Sequence, residues 1–249
     1  METKVLLPGR APQWATNRIG KPRLMIADDH TLVVQGIRKL LENDFELVGA
    51  VEDGRALLSK APALRPDVIL LDISMPLLNG IDACRQLVKL LRRVKVVFLT
   101  MHSERVYVEE AFRAGGAGYL IKDSAAAELT EAIHAAIRGE RYITSRIGWS
   151  PTVGNPSEMG AAKLTPRQRE VLQLIAEGRA NKEIAALMHL SEKTVEYHKS
   201  SIRRELLLNS TAELTRFAIK HRIIGTYPRD REYAGEFAFA QNGSMAANF

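Results

Sequence analysis

The sequence predicts a doubly wound α/β domain on a parallel five-stranded sheet, followed by an all-α module of four helices. Residues 24–139 alternate short apolar runs with stretches of helical periodicity, five times over. Residues 145–162 interrupt that pattern with Gly, Pro, Ser and Thr. Residues 163–225 carry caps and helical spacing without strand-like alternation.

In order, Leu24-Met25-Ile26-Ala27 reads as a buried strand, and residues 31–42 as a helix with Leu32, Val33, Ile37, Leu40 and Leu41 on its apolar side. Phe45 to Val51 is the second strand, followed by a helix over 55–64. Val68-Ile69-Leu70-Leu71 is the third strand, followed by a helix over 80–92. Val94 to Leu99 and a helix over 104–114 come next, then Ala117 to Ile121 and a helix over 125–138. Strands that read as continuous apolar runs and alternate with helices imply a parallel sheet covered on both faces. The chain divides into a basic flexible extension (1–22), an α/β domain (23–144), a linker (145–162), a helical domain (163–225) and a flexible tail (226–249).

The net charge of +6 is unevenly spread. Residues 163–225 hold twelve Lys/Arg against seven Asp/Glu, whereas 23–144 hold sixteen against seventeen. A basic small domain suits a polyanionic partner such as nucleic acid. The single cysteine, Cys84, excludes an intramolecular disulfide and fits a reducing compartment. The apolar run Val5-Leu6-Leu7 is shorter than the roughly 7–15 residues of a secretory core. No segment approaches the ~20 apolar residues of a membrane span. A soluble, cytoplasmic protein is expected.

Polar residues stand at the carboxyl ends of four of the five strands: Asp28 and Asp29, Asp72, Thr100 and Lys122. In an open parallel sheet such ends meet where the strand order reverses. An order of 2-1-3-4-5 brings Asp28, Asp29 and Asp72 into one crevice, with Thr100 and Lys122 opposite. Three carboxylates repel one another, and a hard cation such as Mg²⁺ relieves that repulsion. A carboxylate can also act as a nucleophile and form an aspartyl phosphate, with the metal and the Lys122 ammonium neutralising phosphoryl charge.

Residues 23–140 resemble the receiver domain of two-component response regulators, which has a flavodoxin-like fold. The likeness runs through Ala27-Asp28-Asp29-His30, Leu71-Asp72-Ile73-Ser74-Met75-Pro76, Leu99-Thr100 and Gly118-Tyr119-Leu120-Ile121-Lys122-Asp123. The resemblance implies that Asp72 accepts a phosphoryl group from a sensor histidine kinase. Asp29, Asp72 and the Ser74 backbone carbonyl would hold Mg²⁺, with Asp28 acting through water. Thr100 and Tyr119 would form a switch pair in which Thr100 moves to the phosphate and Tyr119 turns inward.

In the helical domain, Thr165-Pro166-Arg167-Gln168 reads as a capping box with Pro at the first helical position. Gly178 stops that helix, Asn181 is expected to cap a short second one, and His189-Leu190 turns into a third capped by Ser191. Ser210 and Glu213 open the fourth. The third helix turns Val195, His198, Ile202 and Leu206 inward and leaves Lys193, Thr194, Glu196, Tyr197, Lys199, Ser200, Arg203 and Arg204 facing away. A donor-rich helix behind a short helix and a tight turn suits the DNA major groove.

Residues 163–225 resemble the LuxR-type helix-turn-helix domain of the NarL/FixJ class, through the runs 164–172, 181–185 and 191–198. By that resemblance Glu196, Tyr197 and Ser200 face bases, while Lys193, Thr194, Lys199, Arg203 and Arg204 mostly contact phosphates. It implies a transcription regulator that binds double-stranded promoter DNA as a homodimer, with RNA polymerase a further candidate partner and no membrane contact. Leu214, Phe217, Ala218 and Ile219 of the fourth helix supply either dimer contacts or core. Phosphorylation would shift the receiver between a state that packs on the helical module or masks its third helix and one that frees it. An enzyme is not expected: a phosphatase with an aspartyl-phosphate intermediate commonly carries a second Asp two residues beyond its nucleophile, and Ser74 stands there. A receiver used without phosphorylation is the other alternative.

Overall fold

Every residue of the strand Val68–Leu71 is buried, because parallel strands with helices on both faces have no solvent side. This computed structural model describes residues 20–147 and 164–224. The readings of the N-terminal extension (to residue 19), of most of the linker and of the tail fall outside them. The α/β domain runs β1 (Arg23–Ala27), α1 (Thr31–Leu41), β2 (Glu46–Val51), α2 (Gly54–Leu64), β3 (Val68–Leu71), α3 (Gly80–Leu90), β4 (Lys95–Thr100), α4 (Arg105–Arg113), β5 (Gly118–Ile121), α5 (Ala125–Arg138) and β6 (Tyr142–Ile143). The helical domain follows with α6 (Pro166–Ala176), α7 (Asn181–Met188), α8 (Glu192–Leu206) and α9 (Thr211–Lys220).

The sheet order is β2-β1-β3-β4-β5-β6, all parallel. The first five strands have the expected 2-1-3-4-5 order. The sixth corrects the five-strand reading. Tyr142 and Ile143 add to the free edge of β5, paired with Gly118 and Tyr119. Two residues are too few to show the alternation by which strands are recognised in sequence.

Alternate residues of each strand enter opposite cores. Met25, Ile69, Val96 and Phe98 pack with Leu57, Leu87 and Val108 on the α2/α3/α4 side. Leu24, Ile26, Leu70, Val97 and Leu99 pack with Ile37, Leu41, Leu129 and Ile133 on the α1/α5 side. Burying each such side chain stabilises the fold by roughly 1.5–3 kcal/mol. A third core, including Val171, Leu172, Ile184, Val195, Ile202, Leu214 and Ala218, holds the helical domain together.

Gly80 opens α3 with its backbone against the end of β3. A Cβ there would lie 1.9 Å from the Asp72 carbonyl oxygen. Gly80→Ala is therefore expected to destabilise the receiver by about 2–3 kcal/mol, through forced movement of the loop. The urea unfolding midpoint measures this, and an unchanged midpoint would show the loop to be freely adjustable.

The capping boxes at Thr165/Gln168 and Ser210/Glu213 form as the sequence implies, as does the Ser191 cap. The α7 start differs: Ala180 stands at the cap position, its N–H donating 2.8 Å to the Glu183 carboxylate. Asn181 is the first helical residue, and its amide is drawn away to α8, donating to Glu196 at 2.8 Å and accepting from Lys199 at 3.3 Å.

The domains pack through α6. The Arg169 Nε donates to both carboxylate oxygens of Asp82, at 3.0 and 3.1 Å. The Gln173 side chain accepts from the Asn79 N–H at 2.8 Å and donates to the Met75 carbonyl at 3.1 Å. Glu170 accepts from Arg55 and Gln86, at 3.0 and 2.9 Å. Of the two closed arrangements expected, packing on the module is the one found, and α8 is not masked: Lys193, Glu196, Tyr197, Ser200 and Arg204 are exposed.

Candidate functional site

Strand order alone brings the acidic residues together. β1 and β3 are neighbours, with Ala27 beside Leu71, so Asp28, Asp29 and Asp72 leave the sheet at one point. Asp28 and Asp72 are buried, whereas Asp29 is half-buried. Lys122, just past β5, reaches across with its Nζ 2.8 Å from both Asp28 Oδ2 and Asp72 Oδ2. The Ile73 N–H donates to Asp72 Oδ1 at 2.6 Å and fixes the carboxylate.

Burial pushes Asp72 above the ordinary carboxylate range, and this outweighs Lys122. Burial acts the same way on Asp28, but there the hydrogen bond from His30 and the Lys122 ammonium prevail and hold it below that range. Burial alone would lower Lys122; the Asp72 and Asp28 carboxylates reverse this and raise it.

Donor atoms of Asp28, Asp29, His30 and Asp72 lie within 4.8 Å of one another. The donors are mainly carboxylate oxygens, which suits a hard divalent cation. His30 was not foreseen. Its Nδ1 lies 3.0 Å from both Asp28 Oδ1 and Asp29 Oδ1, and its hydrogen bonds to Asp28 and then Asp29 raise it to about 10. Its place directly after the acidic pair was the only sequence signal.

Thr100 is fully buried, and its hydroxyl accepts from the His102 N–H at 3.4 Å. Tyr119 is buried, its hydroxyl donating to the His102 carbonyl at 2.9 Å. His102, also unforeseen, stacks on Tyr107 with centroids 3.9 Å apart, and its Nε2 lies 2.7 Å from the Ser74 hydroxyl. Cys84 is buried, and burial pushes its thiol up to about 12, so it is no nucleophile.

On the helical domain, Val195 and Ile202 anchor α8, with His198 and Leu206 half-buried beside them. Thr194, Lys199 and Arg203 are half-buried at the flanks of the exposed donor face. Tyr197 is 67% exposed, well beyond the usual burial of an aromatic side chain. Leu214 and Ala218 of α9 are fully buried in the domain's own core, which removes them from any dimer face. Phe217 is half-buried and Ile219 is exposed.

A buried acidic cleft on a doubly wound sheet, joined to an exposed helix behind a tight turn, defines a signal-receiving domain coupled to a DNA-binding one. Comparison with known proteins agrees. Residues 24–134 match the response regulator receiver domain, and residues 162–218 match the bacterial regulatory proteins of the luxR family. The transcriptional regulatory protein MctR of Rhizobium johnstonii is 35% identical over 206 residues, covering 82% of this chain and 96% of that protein. The response regulator UvrY of Escherichia coli O157:H7 is 33% identical over 80% of this chain and 94% of its own length. The solved structure of the Salmonella typhimurium RcsB response regulator aligns with a TM-score of 0.50 at 28% identity, over 79% of this chain and 97% of that one. The chain belongs to the response regulators that join a receiver domain to a LuxR-type DNA-binding domain, and its function is transcription regulation rather than enzyme catalysis. Among the described residues no helix is long and apolar enough to cross a membrane.

Proposed function

We propose that this regulator is switched by phosphorylation of Asp72 from a sensor histidine kinase and binds promoter DNA through α8. The observation that carries this is the Lys122 ammonium 2.8 Å from both Asp72 and Asp28 in a buried cleft. It supports Asp72 as the acceptor, its Oδ1 fixed by the Ile73 N–H. Lys122 neutralises the incoming phosphoryl charge and Thr100 donates to a phosphoryl oxygen. Asp28, Asp29, Asp72 and the Ser74 carbonyl would hold Mg²⁺, which when bound offsets charge on the phosphoryl oxygens. Thr100 and Tyr119 form the switch. The receiver occupies 23–144 and the DNA-binding domain 163–225, in a cytoplasmic protein.

Lys193, Thr194, Lys199, Arg203 and Arg204 contact phosphates, and Glu196, Tyr197 and Ser200 face bases. Arg203→Ala is expected to weaken binding to specific and random DNA alike, with a salt slope smaller by about one. Glu196→Ala is expected to alter site choice more than affinity, and equal losses on both DNAs would count against base reading. The protein pairs on two half-sites, with RNA polymerase a further partner. Gel shift at matched salt, with phosphorylated and unphosphorylated protein, tests the switch. Tighter binding after phosphorylation supports it. Equal affinity supports a regulator that works without phosphorylation.

A further inference from the structure

One side chain of α7 reaches across to α8 and takes hold of two of its charges. Asn181 donates from Nδ2 to Glu196 Oε2 at 2.8 Å and accepts on Oδ1 from Lys199 Nζ at 3.3 Å. These contacts span 15 and 18 residues, so the packing of the two helices brings the three groups together. α7 itself does not use this side chain. Its cap position is Ala180, whose N–H is satisfied by Glu183 at 2.8 Å. Asparagine is a good capping residue and a poor one inside a helix, yet here it stands at the first helical position with its amide spent on α8. Glu196 and Lys199 are three residues apart on one helix, a spacing at which opposite charges attract each other directly. Asn181 gives each a separate partner, with amide nitrogen toward the carboxylate and amide oxygen toward the ammonium. Only one orientation of the amide matches both charges, because the nitrogen is a donor and the oxygen an acceptor. Asn181 and Lys199 are half-buried, whereas Glu196 is exposed.

We propose that Asn181 is a positioning residue that sets the DNA specificity of α8: it holds Glu196 off Lys199 and keeps the carboxylate available to cytosine. The inference rests on the reading of α8 as the base-reading helix. In the major groove a carboxylate accepts from the N4 amino group of cytosine. With Oε2 engaged by Asn181, Oε1 is left to meet the base. A direct pair with Lys199 would instead neutralise the carboxylate and draw the ammonium away from the phosphates. One amide thereby keeps an anion for the bases and a cation for the backbone on the same stretch of helix. Docking on DNA removes water from around the bridge, and a hydrogen bond to a charged group is stronger in that setting. The consequence is that site choice depends on a residue of α7 as well as on the exposed face of α8.

The test selects sites from a pool of random double-stranded DNA with full-length wild type, Asn181→Ala, Glu196→Ala and the double variant. Wild type is expected to enrich a site with cytosine at one position of each half-site. Both single variants are expected to lose the preference at that position and keep it at the others. Titrations then compare the selected site with one changed at that position. Discrimination should fall roughly three- to tenfold in Asn181→Ala, as for loss of one solvent-accessible hydrogen bond, with affinity for random DNA within about twofold. The double variant should discriminate no worse than Glu196→Ala alone, because the two residues act as a unit. The thermal midpoint of Asn181→Ala should stay level or rise, since alanine is the better helix former; a merely structural role would lower it. An unchanged preference in Asn181→Ala, an equal loss at every position, or additive losses in the double variant overturns the proposal. Wild-type protein that enriches no sequence would instead overturn base reading by α8, and the role of Asn181 with it.

Discussion

Asp72→Asn is expected to abolish Mg²⁺-dependent phosphoryl incorporation, by roughly a thousandfold or more, as when a nucleophile is removed. The substitution preserves shape, so the N–H of Ile73 still finds an oxygen acceptor. It removes the charge that attacks phosphorus and leaves Lys122 paired with Asp28 alone. The receiver should keep its fold, because Asp72 contributes polar contacts and no part of the apolar core. Intact mass after incubation with a small phosphodonor reads the outcome, with circular dichroism to establish folding. Persistent modification of the folded variant would move the nucleophile elsewhere, and Asp28 and Asp29 would be next to replace.

The second large effect is expected at the domain interface, from Asp82→Ala. Asp82 and Arg169 are buried and meet through two hydrogen bonds. Removing one partner leaves the other charge desolvated, a cost of about 3–5 kcal/mol for a buried pair. Separation of the domains returns Arg169 to water and so relieves that cost. Small-angle scattering should show a larger radius of gyration, and a thermal scan two transitions in place of one. Asp82→Asn, which keeps a hydrogen-bonding side chain at the start of α3, should open the interface less. An unchanged radius and a single transition for Asp82→Ala would show that Gln173, Glu170 and Glu177 hold the domains unaided.

Asp82 also fixes the direction of the pH dependence. Burial alone would raise its pKa, but the Arg169 and Arg85 guanidiniums prevail and hold it below the ordinary 3.8. Its contribution to docking is therefore fully present above the unfolded value and lost only as pH falls through the lower folded one. Titration of Asp82 should leave the domains docked throughout the neutral range.

What the sequence determined by itself was local or followed from strand order. Apolar runs and helical periodicity placed ten elements of the receiver, because each signal lies within one strand or helix. Capping chemistry placed the starts of α6, α8 and α9 for the same reason. Asp28, Asp29, Asp72 and Lys122 are brought together by strand order, since a parallel sheet delivers its strand ends to one edge. The start of α7 was misread because Asn181, a good capping residue, is engaged instead by Glu196 and Lys199 on a neighbouring helix.

Only the tertiary structure could decide the rest. Leu214 and Ala218 have a helical spacing that serves a core or a dimer equally, and packing assigns them to the core. The contacts of Asp82 with Arg169 and of Asn79 with Gln173 span 87 and 94 residues. The same docking leaves α8 exposed and sets Arg179 and Arg222 beside a cavity between the domains. Periodicity records which side of an element turns inward; a polar pair between distant elements imposes no period, so it becomes visible only when the chain has brought the two surfaces together.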